Sequence, residues 1–287
     1  MGCSRVRTYG ELVMFSHTLF SLPFALISML WAAQGLPPGR IIFWILVALT
    51  GARNGANGLN RLIDREIDAK NPRTAHRHLP KGLVKEWEVI LLIFFCFALM
   101  VLAAFMLNPL CVKLLPLPIF IFIIYSYTKR FTWACHLILG IACGGAPVGA
   151  WMAVTGAIGW PSIVLGAMVT LWVAGFDIIY ATQDVDFDRS HGLFSIPAKF
   201  GIQNGLYISA FFHAGAVSLL MYLHFLMETG WFYLTGIAIT AVLLFLEHII
   251  VSPKNLRTMR IASYNINQVV GVVMLIFTAL DMFIKIR

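Results

Sequence analysis

The feature that most constrains this chain is the recurrence of apolar runs about 20 residues long, which is the length a helix needs to cross the hydrocarbon layer of a membrane. Nine runs of that size occur, near residues 12–33, 41–60, 87–107, 109–128, 135–155, 160–181, 204–226, 231–251 and 262–284. Of 287 residues, 60% are hydrophobic and 12% charged, whereas soluble domains carry about 25% charged residues. A soluble enzyme is excluded, and we expect an all-α membrane protein with nine transmembrane helices.

Basic residues predict how those spans are oriented. When nine spans alternate across a membrane, 16 of the 21 Lys and Arg residues fall on the side that holds the N-terminus and the connections after spans two, four, six and eight. The positive-inside rule assigns that side to the cytoplasm. The formal charge of +8 therefore reflects membrane topology, and we expect no nucleic-acid partner.

Acidic residues concentrate in two places on the predicted cytoplasmic side. Nine of the 13 Asp and Glu residues either follow the second span or lie at the end of the sixth. Asp64 lies 120 residues before Asp184, and Asp68 lies 120 residues before Asp188. This equal offset indicates a weak internal duplication.

Each acidic cluster forms a polar stripe if its helix continues. At 100° per residue the first stripe covers an arc of about 80°, and its members are Arg53, Asn57, Asn60, Asp64 and Asp68. The second stripe has three members, Asp177, Asp184 and Asp188, whereas Asp186 projects to the opposite side of the helix. Carboxylates at a membrane are costly unless they are paired or bind a cation, so both stripes are candidate functional sites. The alternative is a solvated helix end paired with neighbouring basic residues.

Facing carboxylates with carboxamides nearby suit Mg²⁺, which bridges one or two carboxylates to substrate phosphates. Basic side chains would then bind the phosphate oxygens, and the candidates are Arg73, Arg77, Lys129 and Arg130. These residues predict a metal-bound diphosphate at the membrane surface. The alternative is that the basic side chains only anchor loops at lipid headgroups.

Two stretches resemble the signatures of a known family. Residues 57–68 and 73–80 resemble NDxxDxxxD followed by RTxxRPLP, and residues 177–188 resemble DxxYxxxDxxxD, the two signatures of the UbiA superfamily of intramembrane prenyltransferases. The resemblance covers essentially the whole chain, and it implies one transmembrane domain over 1–287, with nine helices around a central cavity. The chain departs from the signatures at Arg61 and His78, where many members have Asp and Pro.

The resemblance also implies roles for individual residues. The implied metal ligands are Asn60 and the four catalytic aspartates Asp64, Asp68, Asp184 and Asp188. The implied diphosphate-binding residues are Asn60, Arg73, Arg77, Lys129 and Tyr125. The implied acceptor-side residues are Asp177, Tyr180 and, in the first span, His17. The remaining histidines within apolar runs, His136, His213, His224 and His248, are interpreted as structural.

The implied reaction is Mg²⁺-dependent transfer of a polyprenyl chain from its diphosphate to an aromatic acid of the 4-hydroxybenzoate type, in respiratory quinone synthesis at a prokaryotic inner or plasma membrane. A dihydroxynaphthoate of futalosine-pathway menaquinone synthesis is the alternative acceptor. Another class of membrane enzymes, the CDP-alcohol phosphotransferases, also uses aspartates four residues apart. Its signature aligns with this chain only at Ala52-Arg53, so this class is disfavoured. An ion-coupled transporter would explain acidic stripes, but it predicts functional residues near the midplane, whereas these aspartates lie at span ends.

Overall fold

The computed structural model describes residues 8–12, 18–251 and 265–284, and all secondary-structure elements in these ranges are helical. Residues 8–12 form one helical turn. The α-helices are α1 (Thr18–Ala33), α2 (Gly39–Ile63), α3 (Arg65–Lys70), α4 (Glu86–Leu107), α5 (Pro109–Leu114), α6 (Pro116–Thr128), α7 (Cys135–Thr155), α8 (Trp160–Ala181), α9 (Val185–Ser190), α10 (Ile196–Phe200), α11 (Ile202–Met227), α12 (Trp231–Ile250) and α13 (Asn267–Ile284). A 3₁₀ turn at Thr182–Asp184 separates α8 from α9.

The helices group into two compact units. Unit 1 comprises Met1–Thr18 and Pro38–Tyr127. Unit 2 comprises Leu19–Pro37 and Thr128–Arg287. The first acidic cluster therefore belongs to unit 1 and the second to unit 2.

Seven helical stretches within the described ranges are long and apolar enough to cross a membrane: Glu86–Leu107, Pro109–Thr128, Cys135–Thr155, Trp160–Ser190, Ile202–Met227, Trp231–Ile250 and Asn267–Ile284. The predicted first span corresponds to α1, which has 16 residues in the described part of the chain. The predicted second span corresponds to α2, which has 25 residues but a polar C-terminal half. The all-α membrane architecture is confirmed, whereas the count of nine spans is not reproduced in full.

The predicted span at 109–128 forms one helical stretch, but its helix assignment breaks at Leu115, which keeps a helical backbone with φ −49° and ψ −40°. Helix α5 ends at Leu114 and α6 begins at Pro116, with Leu115 as the connecting residue. The reason is that Pro116 lacks a backbone N–H and is tolerated only in the first turn of a helix. The predicted boundary at Asn108 is confirmed, because its side-chain oxygen accepts a hydrogen bond from the Cys111 N–H at 3.1 Å and caps α5.

Unit 1 is built on close packing of α2 against α4. A Cβ on Gly51 would stand 2.5 Å from the carbonyl oxygen of Cys96, and one on Gly55 would overlap the ring of Phe97. Only glycine permits this approach of the two helices. The glycine face lies roughly 100–180° around α2 from Asn57 and Asn60, so the polar stripe is directed away from α4.

Unit 2 has α8 at its centre. Gly144 of α7 lies against α8 so closely that a Cβ would collide with the carbonyl oxygen of Gly166. From α1, Phe24 packs edge-on against Trp172 of α8, with ring centroids 5.1 Å apart. These contacts bury α8 on several sides and hold in place the helix that leads into the second acidic cluster.

A buried polar network also links α8 to the helices around it. The indole N–H of Trp172 donates to Asn267 Oδ1 at 2.6 Å, and Asn267 Nδ2 donates to Glu247 Oε1 at 3.0 Å. Beside this pair, His213 Nδ1 and His248 Nε2 are hydrogen-bonded at 2.9 Å. The network joins α8, α11, α12 and α13 where Asn267 and Glu247 are fully buried.

Replacing Asn267 by Leu should destabilise the fold by about 2–4 kcal/mol, because two buried partners, the Trp172 N–H and the Glu247 carboxylate, would lose their hydrogen bonds. Thermal unfolding in detergent measures the change. The matched control is Asn204→Leu, because Asn204 is exposed and donates a single bond to the Phe200 carbonyl. Equal melting temperatures for the two variants would contradict a stabilising role for the network.

Candidate functional site

Both acidic clusters lie at an interruption of a helix. Helix α2 ends at Ile63, and Asp64 follows with φ −90° and ψ 3° before α3 begins. Helix α8 ends at Ala181, and Asp184 has φ −104° and ψ 5° before α9 begins. The prediction of continuous helical stripes is wrong at these points, because both aspartates adopt the bridge conformation, which is sparsely populated and common in functional sites.

The two interruptions are similar, although only the second contains a 3₁₀ turn, at Thr182–Asp184. Each is followed by a helix of six residues, α3 or α9, whose fourth residue is the second aspartate of the cluster, Asp68 or Asp188. Backbone conformation therefore repeats at the 120-residue offset seen in the sequence. This agreement supports the internal duplication.

In unit 1 the structure pairs each aspartate with a predicted partner. Asn60 Nδ2 donates to Asp64 Oδ2 at 3.0 Å. Arg77 Nη1 donates to both carboxylate oxygens of Asp68, at 2.7 and 2.6 Å, and Arg61 Nη1 lies 3.9 Å from Asp68 Oδ2. Both carboxylates are buried, with 8% and 7% exposure. Asn60 thus contacts the first aspartate, and Arg77 and Arg61 lie beside the second.

The loop after α3 is anchored to Asp68 through both its backbone carbonyl and its carboxylate. The Thr74 hydroxyl donates to the backbone carbonyl of Asp68 at 3.0 Å, one turn before Arg77 returns to its side chain. Asn71 Oδ1 accepts the backbone N–H of Arg73 at 2.9 Å. Arg73 is half-buried at the start of this loop. The sequence Arg-Thr-Ala-His-Arg therefore folds back over the helix end that carries Asp68.

In unit 2 the second aspartate pair is also buried beside a cation. Asp184 and Asp188 have 6% and 4% exposure. Asp184 and Lys129 lie within electrostatic range of the Asp188 carboxylate, and the Ser195 hydroxyl donates to Asp188 Oδ2 at 2.9 Å. The backbone carbonyl of Lys129 accepts a hydrogen bond from the Phe194 N–H at 2.7 Å, which fixes the backbone at Lys129. Asp186, by contrast, is exposed, as its position on the far side of the helical arc predicts.

Asp177 lies deeper on α8 and has a partner that the sequence did not reveal. Its Oδ2 lies 2.7 Å from Nδ1 of His136 on α7. The Asp177 side chain is 24% exposed, whereas that of His136 is 1% exposed. No spacing rule relates two residues 41 positions apart on different helices, so the sequence alone predicts only a structural role for His136.

The remaining predicted residues are placed as follows. Tyr180 is half-buried one turn after Asp177 on α8, and Tyr125 is half-buried on α6. Arg130 is exposed directly after Lys129. His17 lies outside the described residues.

The donor set of each unit fits a metal that is shared with a ligand. Considering only the described residues, neither unit gathers three or more His, Cys, Asp or Glu side chains that could hold a metal ion. Mg²⁺ does not require such a cage, since it keeps several waters and takes one or two carboxylates plus substrate phosphates. Each unit has two carboxylates and an adjacent cation, and unit 1 adds the amide oxygen of Asn60, so these donors are suited to Mg²⁺ with a diphosphate.

Residues 21–269 match the UbiA prenyltransferase family. This chain belongs to that family. The resemblance seen in the two aspartate motifs is thereby confirmed, and the chain is a prenyltransferase and an integral membrane protein.

Individual relatives agree with this assignment. The chain is 31% identical over 216 residues to a 4-hydroxybenzoate octaprenyltransferase of Vibrio campbellii, which covers 72% of this chain and 74% of the relative. The apo structure of a UbiA homolog from Aeropyrum pernix K1 superposes with a TM-score of 0.85 at 33% identity, covering 93% of this chain and 98% of the homolog. A UbiA homolog from Archaeoglobus fulgidus bound to DMAPP and Mg²⁺ shares the fold, with a TM-score of 0.68 at 20% identity and coverage of 93% and 99%.

Replacing Arg77 by Ala should loosen the loop after α3, because the buried Asp68 carboxylate would lose both bonds to the guanidinium. Amides at residues 81–83 are hydrogen-bonded within this loop, so their hydrogen exchange reports its opening. We expect exchange there to accelerate about tenfold. Arg130→Ala is the control, since Arg130 is exposed. Unchanged exchange in Arg77→Ala would contradict an anchoring role for the ion pair.

Proposed function

We propose that this chain catalyses Mg²⁺-dependent transfer of a polyprenyl chain from polyprenyl diphosphate to an aromatic acid in respiratory quinone synthesis. The observation that carries the proposal is the repeated pair of buried aspartates with a cation beside it, Asp64 and Asp68 with Arg77, then Asp184 and Asp188 with Lys129. A buried carboxylate pair with an adjacent cation is suited to a metal and an anion together. The Mg²⁺ and DMAPP bound by the Archaeoglobus homolog support the same chemistry.

In this proposal both segments act on one diphosphate, and the chain works as a single catalytic domain. Asn60, Asp64 and Asp68 would hold the metal from the first segment, and Asp184 and Asp188 would hold it from the second. The diphosphate oxygens are bound by Arg73, Arg77, Lys129 and Tyr125. Guanidinium groups suit this task because their planar fork matches phosphate oxygens.

The reaction breaks the bond between the allylic carbon and the diphosphate oxygen, and it forms a carbon–carbon bond to the aromatic ring, which then loses a proton. Negative charge grows on the departing diphosphate as the bond breaks, so Arg73, Arg77 and Lys129 stabilise the transition state more than the ground state. Bound Mg²⁺ supplies further neutralisation of that charge. Asp177 and Tyr180 contact the acceptor, and His17 is a third acceptor-side residue.

The proposed acceptor is an aromatic acid of the 4-hydroxybenzoate type, which is the substrate in the name of the Vibrio relative. The departures at Arg61 and His78 keep a dihydroxynaphthoate as the second candidate. The excess of basic residues on one set of loops supports a cytoplasmic location for the N-terminus and both aspartate segments. The proposed membrane is the inner or plasma membrane of a prokaryote. Polyprenyl diphosphate, the aromatic acid and membrane lipid are then the partners of the chain.

The direct test is prenyl transfer by membranes that contain the chain, supplied with Mg²⁺, labelled polyprenyl diphosphate and one acceptor at a time. We expect prenylated 4-hydroxybenzoate, no product after EDTA treatment, and recovery when Mg²⁺ is restored. If only dihydroxynaphthoate gives product, the proposed acceptor is wrong and the proposed reaction class still holds. Absence of both products, together with no binding of the diphosphate, would contradict the proposed function.

Asp64→Asn and Asp184→Asn should each reduce transfer at least a hundredfold, because each removes a charged metal ligand from its segment while preserving side-chain size. Initial rates at saturating Mg²⁺ measure the effect. Asp186→Asn is the matched control, since Asp186 belongs to the same helix as Asp188 but is exposed, and we expect it to keep near-normal activity. Full turnover by either ligand variant would exclude that aspartate from the reaction.

A further inference from the structure

A hydrogen-bonded chain in unit 2 connects two carboxylates of the proposed site through groups outside it. Asp177 Oδ2 lies 2.7 Å from His136 Nδ1, and the backbone N–H of Ile196 donates to His136 Nε2 at 3.3 Å. The preceding residue, Ser195, donates its hydroxyl to Asp188 Oδ2 at 2.9 Å. Adjacent residues at the start of α10 therefore contact one carboxylate directly and the other through His136.

The direction of each bond follows from its donors. A backbone N–H can only donate, so His136 Nε2 accepts the Ile196 bond with its lone pair. The ring proton is then on Nδ1, which donates to Asp177. A neutral imidazole that donates to an ionised carboxylate forms a charge-assisted hydrogen bond, which is shorter and stronger than one between neutral groups. The observed 2.7 Å fits that assignment.

His136 and Asp177 differ in how much of each side chain is exposed. His136 is 1% exposed, so both of its ring nitrogens are committed to the protein. Asp177 is 24% exposed and keeps a surface that a ligand can contact. Asp177 also lies on α8, the helix that leads into Asp184 and Asp188.

We propose that His136 is a positioning residue for the acceptor carboxylate Asp177. This inference rests on the proposed function, in which Asp177 contacts the aromatic acceptor. His136 holds Asp177 in one orientation, and it ties that orientation to the α10 start that also contacts Asp188. Because its bond is to Asp177 and not to the diphosphate-binding residues, loss of His136 raises the KM for the acceptor and leaves the KM for polyprenyl diphosphate unchanged.

Two conservative variants separate the two bonds of the imidazole. The amide nitrogen of Asn occupies the position of Nδ1, so His136→Asn keeps the donor to Asp177 and loses the Ile196 bond. The amide of Gln reaches the position of Nε2, so His136→Gln keeps the Ile196 bond and loses the donor to Asp177. We expect the acceptor KM to rise about tenfold or more in His136→Gln and to stay within about threefold of wild type in His136→Asn.

A double-mutant cycle tests whether His136 acts through Asp177. In the Asp177→Asn background, His136→Gln should produce no further rise in the acceptor KM. His224→Gln is the control, because His224 bonds Thr229 at the end of α11 and we expect its kinetics to match wild type. Thermal unfolding of each variant in detergent separates a kinetic effect from loss of fold.

Infrared difference spectra between wild type and Asp177→Asn supply a readout that does not depend on any His136 variant folding. A carboxylate band assigned to Asp177 at neutral pH is expected. A protonated carbonyl band, an equal acceptor KM in His136→Asn and His136→Gln, or an undiminished His136→Gln effect without Asp177 would each overturn the inference.

Wild-type transfer is measured first, so that the two proposals are distinguished. Its absence with every acceptor would overturn the proposed function and this inference with it. Normal wild-type transfer combined with wild-type kinetics in His136→Gln would overturn this inference alone.

Discussion

The cost of placing carboxylates at the ends of apolar helices is the constraint on which this structure depends. A buried carboxylate without a partner is unfavourable by several kcal/mol, so each one must be matched by a cation, a hydrogen-bond donor or a metal. The chain meets this requirement twice in the same way. A long helix is interrupted at Asp64 or Asp184, a six-residue helix carries the second aspartate, and a basic side chain lies beside the pair.

Under the proposed function, the same arrangement suits a metal together with an anion. Arg77 and Lys129 are already next to carboxylates, so a metal that takes the carboxylates leaves the cations available for phosphate oxygens. The surrounding packing gives these groups a fixed position. In unit 2, α8 is buried against α7, α11 and α1 and carries Asp177 near its end, and groups held on rigid helices are positioned more precisely than groups on loops.

The sequence predicted which acidic residues cluster better than it predicted the backbone that carries them. Spacing placed Asp64, Asp68, Asp184 and Asp188 in two candidate sites, because carboxylates in otherwise apolar surroundings are conspicuous, and the structure buries all four. The helix interruptions at Asp64 and Asp184 were missed, since an angular projection assumes a continuous helix and residue types at these positions do not oppose one. The outward direction of Asp186 was obtained correctly because it follows from short-range helical periodicity.

Partners on other helices were beyond the reach of sequence reasoning. His136 lies in an apolar run with no local motif, and its bond to Asp177 depends on how α7 packs against α8. The links among Trp172, Asn267 and Glu247 have the same origin, because each residue comes from a different helix. The break at Leu115 was in principle visible, since Pro116 follows it directly, but the apolar run through it favoured a continuous helix.

Anomalous X-ray scattering from crystals of the full chain grown with Mn²⁺ and a non-reactive thio analogue of polyprenyl diphosphate would test the central claim most directly. Mn²⁺ replaces Mg²⁺ at hard oxygen sites and can be located by its own scattering. We expect metal bound to the analogue's diphosphate and to carboxylates of both segments, with at least one of Asp64 and Asp68 and at least one of Asp184 and Asp188. Metal held by one segment alone, or a diphosphate bound away from both, would contradict the account.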